Sequence, residues 1–404
     1  MSRVTNLPQR RAVRKVLLYS HDTYGLGHIR RNLAIAHSLL AREPSLQIVL
    51  LTGSVVSDRF ELPRRLSVVK LPAVVKDGPD SYRPVDTRLT LGVVRRARTA
   101  VIADVARRFA PDVMLVDHAP AGMGGELLEV FRMLERERPE TRVVLGLRDV
   151  LDEPESVLRA WSQQGVHDLL ERVYDEIYVY GQRDIFDVGA AYQMRPAALA
   201  RLRYTGYLDR SPAGGEAGAP VARPFLLATA GGGGDGAAVL CAALEAGGRL
   251  GLATLIVTGP LIDGRQRAAL DARVASTPRA RVLTFHPSIG SLMRSASVVV
   301  TMGGYNSMCE AVSSGTPTIV VPRTWPRREQ EMRARLFADR GLVDVVEHGP
   351  DLADRLAALI DAGLRDRGRS ARVIDLGGLE RLVDGLLGRA GAAAPPVAME
   401  EIAA

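Results

Sequence analysis

A two-part open α/β fold is what this 404-residue sequence predicts. Three observations carry that expectation. Short apolar runs alternate with segments of helical periodicity along most of the chain. A stretch rich in Gly, Ala and Pro and without periodicity, Ser211–Pro220, separates two such series of similar length. At roughly 100–200 residues per domain, the length itself suits two domains.

In the first series the strands are 15–20, 47–52, 66–71, 113–117, 142–147 and 176–180. Leu33, Ala36, Leu39 and Leu40 recur at helical spacing between the first two, and Pro44 ends that helix. Further helices are expected over 89–109 and around 125–136. Strand, helix, strand within a few tens of residues is a parallel βαβ unit. In the second series the strands are 225–229, 253–258, 281–285, 297–301 and 318–322. Helices are expected over 236–246 and 307–313, with amphipathic closing helices over 351–364 and 379–387. The expected division is a disordered basic segment 1–14, a first domain 15–208, a linker 209–222, a second domain 223–390 and a disordered tail 391–404. The last helix is a candidate to pack back on the first domain. Two α/β halves meeting across a linker place a site in the cleft between them.

Composition narrows the class. Hydrophobic residues make up 47% and charged residues 25%, ordinary for a globular protein and unlike a disordered or fibrous one. Cys241 and Cys309 are the two cysteines, which excludes a disulfide framework or a thiolate metal cluster. No apolar run approaches the ~20 residues of a membrane span, and residues 1–15 lack the apolar core of a signal peptide. A soluble, cytoplasmic protein is expected. The net charge of +7 would suit nucleic acid or another anionic partner. However, only Lys15, Lys70 and Lys76 are lysines, and acids are interspersed almost throughout. That reads as arginine-heavy composition, and no nucleic-acid partner is expected. The basic stretches 10–15 and 95–98 are candidates for peripheral contact with an anionic membrane or a carrier.

Three loops carry chemistry. In His21–Arg30, Gly25 and Gly27 permit a tight turn and a close approach. His28 and Arg30 then stand at a helix N-terminus, where free N–H groups favour negative charge. The third glycine of a dinucleotide fingerprint is missing. Glycines for a turn and a histidine at a helix start would explain the loop equally well. Of its histidines, His28 is the better general-base candidate, exposed at the helix start. Directly after the strand 225–229 come Gly231, Gly232, Gly233 and Gly234, too many glycines for a simple turn, but suited to bare amides cradling a phosphate. No Gly-Lys-Ser/Thr follows, so this is not a nucleoside-triphosphatase loop. The longest motif starts at Thr301-Met-Gly303-Gly304-Tyr305-Asn306-Ser307, with Asn306 or Ser307 expected to cap the helix. Glu310 follows, able to accept from paired hydroxyls such as those of a ribose. After Gly315-Thr-Pro317 and a strand ending at Pro322, Glu329 and Gln330 lie where doubly wound sheets bind ligands.

The order Gly-Gly-x-x-Ser-x-x-Glu-Ala, Gly-x-Pro, strand-Pro, Glu-Gln resembles the nucleotide-sugar domain of GT-B glycosyltransferases. It is most similar to glycosyltransferase family 28, which contains the bacterial peptidoglycan N-acetylglucosaminyltransferase. The Gly-x-Gly-His and four-glycine loops fall in the same order in that family. The resemblance implies two Rossmann-like domains facing across a cleft, with a UDP-sugar donor held by the second. It assigns Glu310 to the donor ribose, Gly303, Gly304 and the amides of Tyr305, Asn306 and Ser307 to the diphosphate, and Gly231 to Gly234 to a second phosphate-facing loop. His286 and Ile289 lie in the segment that reads the base, and Glu329 and Gln330 meet the sugar. His28 corresponds to the histidine of the first glycine loop. Tyr305-Asn306 and Arg327-Arg328 depart from the family, as do 116–126 and 146–152, which look closer to an uncharacterised branch of predicted glycosyltransferases. Both of the latter segments follow strands, so Asp117, His118, Glu126, Arg148 and Asp149 are candidates for acceptor contacts or for orienting His28, a role open to Asp117 or another first-domain acid, and Gly27 and Arg30 are further acceptor candidates. Helix caps and salt bridges are the plainer roles for some of them.

The expected reaction is an inverting, metal-independent single displacement with no cofactor, His28 acting as base and the halves closing about the linker. The acceptor is a specialised metabolite, a carrier-tethered group or a lipid-linked precursor. The alternatives are a UDP-N-acetylglucosamine 2-epimerase and a non-catalytic nucleotide-sugar-binding protein.

Overall fold

The computed structural model describes residues 12–22, 26–76, 81–210, 220–232, 234–365 and 374–389. Gly25, Gly233, most of the basic segment 1–14, most of the linker 209–222 and the tail 391–404 lie outside them. The first half runs β1 (Lys15–Ser20), α1 (Gly27–Arg42), β2 (Gln47–Thr52), β3 (Leu66–Lys70), β4 (Val74–Lys76), β5 (Tyr82–Pro84), α2 (Leu91–Phe109), β6 (Val113–Asp117), α3 (Leu128–Glu137), β7 (Arg142–Arg148), α4 (Pro154–Gln164), α5 (Val166–Arg172), β8 (Glu176–Tyr180), α6 (Val188–Ala191), α7 (Pro196–Leu199) and β9 (Leu202–Tyr204). The second runs β10 (Phe225–Thr229), α8 (Ala237–Arg249), β11 (Ala253–Val257), α9 (Gly264–Ser276), β12 (Ala280–Leu283), α10 (Ile289–Ser295), β13 (Val298–Thr301), α11 (Tyr305–Ser314), β14 (Thr318–Val320), α12 (Glu329–Ala338), β15 (Asp344–Val345), α13 (Leu352–Arg365) and α14 (Gly378–Leu386).

Two parallel sheets result, β3-β2-β1-β6-β7-β8-β9 and β12-β11-β10-β13-β14-β15. Their strands read as unbroken apolar runs because helices cover both faces of each sheet. In each, the order reverses between the first and fourth strands, β1/β6 and β10/β13. Loops diverge there, and a crevice opens at the carboxyl ends of those strands. His21 follows β1, Asp117 ends β6, the Gly231 loop follows β10 and Gly303 follows β13. Strand order thus gathers the four motif segments at two switch points.

The halves share a core. Leu18, Ile29 and Leu33 of the first half belong to the same buried cluster as Met308, Tyr305 and Phe337 of the second and Leu382, Val383 and Leu386 of α14. Helix α14 lies against α1, and Arg142 donates to the terminal carbonyls of Gly385 and Leu386, satisfying acceptors a helix end leaves open. Polar contacts rivet the same seam. Arg333 of α12, fully buried, forks onto Asp149 with Nη2 2.8 Å from Oδ1, and also donates to the Val150 carbonyl. The Arg328 amide donates to Asp152, and the rings of Phe60 and Phe285 meet edge to face at 5.8 Å.

A buried pair with one member removed strands the other charge, at a cost of about 3–5 kcal/mol. Asp149→Ala is therefore expected to lower stability by about 3 kcal/mol or more in denaturant unfolding. The double variant D149L/R333M is expected to recover most of that loss. A single variant within about 1 kcal/mol of the native chain would refute this role for the pair.

Candidate active site

The first switch point builds a histidine–carboxylate pair. Helix α1 starts one residue after Leu26, which supplies no side-chain cap, so its first turn presents His28. The His28 Nδ1 lies 2.6 Å from Asp117 Oδ2. Arg31, one helical turn on and buried, forks onto the other side of the same carboxylate, Nη2 to Oδ1 2.7 Å, and Asn32 adds a third donor. Burial alone would push the Asp117 carboxyl up; Arg31 and His28 more than reverse this and hold it far below its usual range. An ionised Asp117 fixes the His28 proton on Nδ1 and leaves Nε2 as the basic atom. The 2.9 Å approach of Arg31 Nη2 to the same Nδ1 is then an approach of two donors, not a bond. Burial lowers the His28 pKa, with Asp117 opposing. Its side chain is 16% exposed, enclosed rather than open as the sequence suggested. His21 and His118 stand beside it, ring centroids 5.7 and 5.3 Å from that of His28. Burial lowers both pKa values well below normal, so the cluster holds neutral imidazoles. Among the described residues no group of His, Cys, Asp or Glu is arranged to hold a metal ion.

The second switch point supplies amides. Gly303 adopts φ +79 with Val320 packed where a side chain would point, a turn that favours glycine. Helix α11 follows with Gly304 at its N-cap and no side-chain cap. Neither Asn306 nor Ser307 caps it; the Asn306 amide reaches across the seam to donate to the Gly27 carbonyl at 2.8 Å. The first turn of α11 thus abuts the first turn of α1. A side chain at Gly304 would meet nothing within 4 Å, and Gly231, at φ +66, faces Ser307 at 3.9 Å. Gly232 accepts from the Leu261 amide, and Gly234 continues the loop towards α8. The His286 ring accepts from the Ser288 amide, and Ile289 opens α10 with a buried side chain. Arg323 gathers Glu329 at 3.0 Å, while its backbone amide donates to Gln330 Oε1 at 3.2 Å. The second oxygen of Glu329 is buried without a partner.

Glu310 is the largest departure from expectation. Its Oε1 receives Arg30 of α1 at 3.0 Å and Arg210 at 2.9 Å, while Oε2 is buried and unpartnered. Arg30, expected on the acceptor side, instead faces the second half. Burial depresses the Arg210 pKa to about 10 against the pull of Glu310. Two of the acceptor candidates are instead bound up in buried ion pairs. Glu126 is buried, clasped by Arg98 at 2.6 Å and by the Tyr19 hydroxyl at 2.6 Å. Its carboxylate is thus used up beneath the sheet. Asp149 is spent on Arg333. His118 and Arg148 do lie together, Nη2 to Nε2 3.2 Å. Arg31, Arg210 and Arg333 escaped sequence reasoning because each acts through a partner distant in the chain, which no local spacing reveals.

Residues 235–373 match the glycosyltransferase family 28 C-terminal domain. No curated protein matches the chain in sequence. Several solved structures are similar over nearly its whole length. MurG of Acinetobacter baumannii is 15% identical over 93% of this chain and 99% of its own, with a TM-score of 0.59. UGT71G1 of Medicago truncatula, solved with UDP-glucose, is 13% identical over 93% and 99%, with a TM-score of 0.57. A Listeria monocytogenes protein provisionally assigned as a UDP-N-acetylglucosamine 2-epimerase is 13% identical over 93% and 96%, with a TM-score of 0.63. At such identities the likeness is one of fold. The chain thus has a GT-B fold, and its residues 235–373 are similar in sequence to the glycosyltransferase family 28 C-terminal domain.

Proposed function

We propose that the protein is an inverting glycosyltransferase. It moves a hexose, N-acetylglucosamine or a relative, from a UDP-sugar to an acceptor that is a small metabolite, a carrier-tethered group or a lipid-linked precursor. Residues 15–208 bind the acceptor and 223–390 the donor. The observation carrying this reading is the Asn306–Gly27 contact, which sets the oriented His28 base against the uncapped start of α11.

Each part has a task there. The amides of Tyr305, Asn306 and Ser307, with the Gly231 and Gly232 backbone, receive the donor diphosphate and stabilise the charge that develops as it leaves. Arg30 and Arg210 share one carboxylate, leaving a positive charge that a diphosphate neutralises. Oε2 of Glu310 is free to accept from a ribose hydroxyl, and the free oxygen of Glu329, with Gln330, from the sugar. His28 Nε2 takes the proton of the acceptor nucleophile as it attacks the face opposite the leaving group. Asp117, locked by Arg31, keeps the ring in the tautomer this requires. Charge stabilisation by amides and guanidiniums makes a metal unnecessary in this reading. The epimerase alternative needs free cleft carboxyls, whereas Asp117, Asp149, Glu310 and Glu329 each engage an arginine.

Incubation with UDP-N-acetylglucosamine and related UDP-sugars, with product analysis, tests this reading directly. Release of UDP by hydrolysis or transfer supports it, and an epimerised UDP-sugar would replace it. His28→Ala is expected to lower turnover by about 10²–10⁴-fold with UDP affinity retained; unchanged turnover removes the base from His28. Because the His28 pKa is lowered, the base stays unprotonated through neutrality. The acid limb of the rate profile should therefore fall below pH ~6.5, and a limb above that value would contradict the assignment. Glu310→Gln should weaken UDP binding about tenfold in calorimetry, the loss of one charge-assisted hydrogen bond. An unaltered affinity would free Glu310 of the ribose.

A further inference from the structure

The mechanism leaves one polar pair unused. His118 directly follows Asp117 and holds φ +71, a conformation uncommon for residues other than glycine, although Asn, Asp and His tolerate it best. Strain of this kind clusters where a site demands it. The Arg148 guanidinium, at the end of β7, approaches His118 Nε2 at 3.2 Å. A guanidinium only donates. Nε2 is therefore the acceptor, and the proton of this neutral ring sits on Nδ1. Nδ1 is buried and unpartnered, and so is Nε of Arg148. Two neighbouring side chains thus each hold a buried N–H with no acceptor.

The charge is equally unmatched. The buried arginines of this region have carboxylates, Arg31 on Asp117, Arg98 on Glu126 and Arg333 on Asp149. Arg148 makes no ion pair with any described residue, and its one polar contact is the imidazole. Burial and the nearby Arg333 push its pKa down to about 10 against the weaker pull of Glu329, which leaves it charged at neutral pH. A partly buried guanidinium with its Nε–H enclosed and no carboxylate in salt-bridge contact is costly, and an anion from outside relieves that cost. His118 lies 5.3 Å from the His28 ring, so such an anion would sit beside the proposed base.

We propose that Arg148 and His118 form an anion subsite for the acceptor, which carries a carboxylate or phosphate group bound by Arg148 Nε–H and His118 Nδ1–H. The inference rests on the reading of the first half as the acceptor side. It selects among acceptors: a neutral hydroxyl compound leaves both donors and the charge unmet.

The test uses the full chain, labelled with ¹³C-histidine and ¹⁵N-arginine and titrated with acetate, methyl phosphate and the neutral control acetamide. The His118 ring, assigned through His118→Asn, and the Arg148 Nε–H resonance are expected to shift saturably with acetate or methyl phosphate, and not with acetamide. Whichever anion binds more tightly identifies the group on the acceptor. Arg148→Gln should weaken the anion response of His118 at least tenfold. H118N, which suits the backbone at φ +71, should weaken that of Arg148 and covers the case where the Arg148 variant fails to fold. No shift with either anion, equal shifts in both variants, or displacement of the anion by UDP would overturn the proposal. UDP calorimetry on the native chain separates the two readings. UDP bound without an anion response defeats the subsite alone, whereas an anion response without UDP binding defeats the donor assignment.

Discussion

The buried fork of Arg333 on Asp149 is the contact on which the arrangement of the site depends. Each Rossmann-like half has its own crevice, but neither crevice alone contains both a base and an array of amides. Joining them requires the helix after β14 to meet the loop after β7 at one angle. Apolar packing across the seam is strong and unspecific in direction. A bidentate guanidinium–carboxylate pair has one good geometry. Since Arg333 also donates to the Gly303 and Val150 carbonyls, the same side chain ties the glycine turn before α11 to the first half. The turn that frames the proposed diphosphate site is thus held by a residue from the seam.

This also accounts for the arginine-heavy composition. Arg31, Arg98 and Arg333 are buried with planar, multi-point partners. An ammonium in these places would satisfy fewer acceptors and lose its proton more readily. The +7 charge is therefore a poor guide to an external polymer partner. Several of the positive charges are internal struts, and the informative ones are those with more charge than their partners cancel, at Arg30 with Arg210 and at Arg148.

The strands were legible in the sequence because sheets buried on both faces demand continuous apolar runs, and the glycine loops because they directly follow those strands. The hairpin β4–β5, the one-turn helices α6 and α7 and the two-residue β15 were not, being too short to show periodicity. At the site, strand order placed Asp117 among several candidates to orient His28, and only the docking of α1 on β6 singles it out. The roles of Glu126 and Asp149 were not legible, because a carboxylate at a strand end reads the same whether it faces a cleft or a buried arginine. Arg30 was misplaced for a related reason. Its position on α1 was clear, but which half it faced depended on how the halves dock.

Unsatisfied buried atoms of both kinds, donors and acceptors, gather about the seam. On the side of the second half, Glu310 and Glu329 each retain a buried oxygen that lacks a donor. On the side of the first, His118 and Arg148 retain buried N–H groups that lack an acceptor. Each such group costs about 1–3 kcal/mol when left unmet. A sugar nucleotide offers hydroxyl donors to the first set. The second set needs an acceptor-rich group, and the carboxylates that could have supplied one are already engaged by Arg31, Arg98 and Arg333. In the proposed reading, the hydroxyl donors of a sugar nucleotide meet the carboxylate oxygens on one side and an anionic acceptor group meets the N–H groups on the other, so the sense of the hydrogen bonds helps to separate the two ligands.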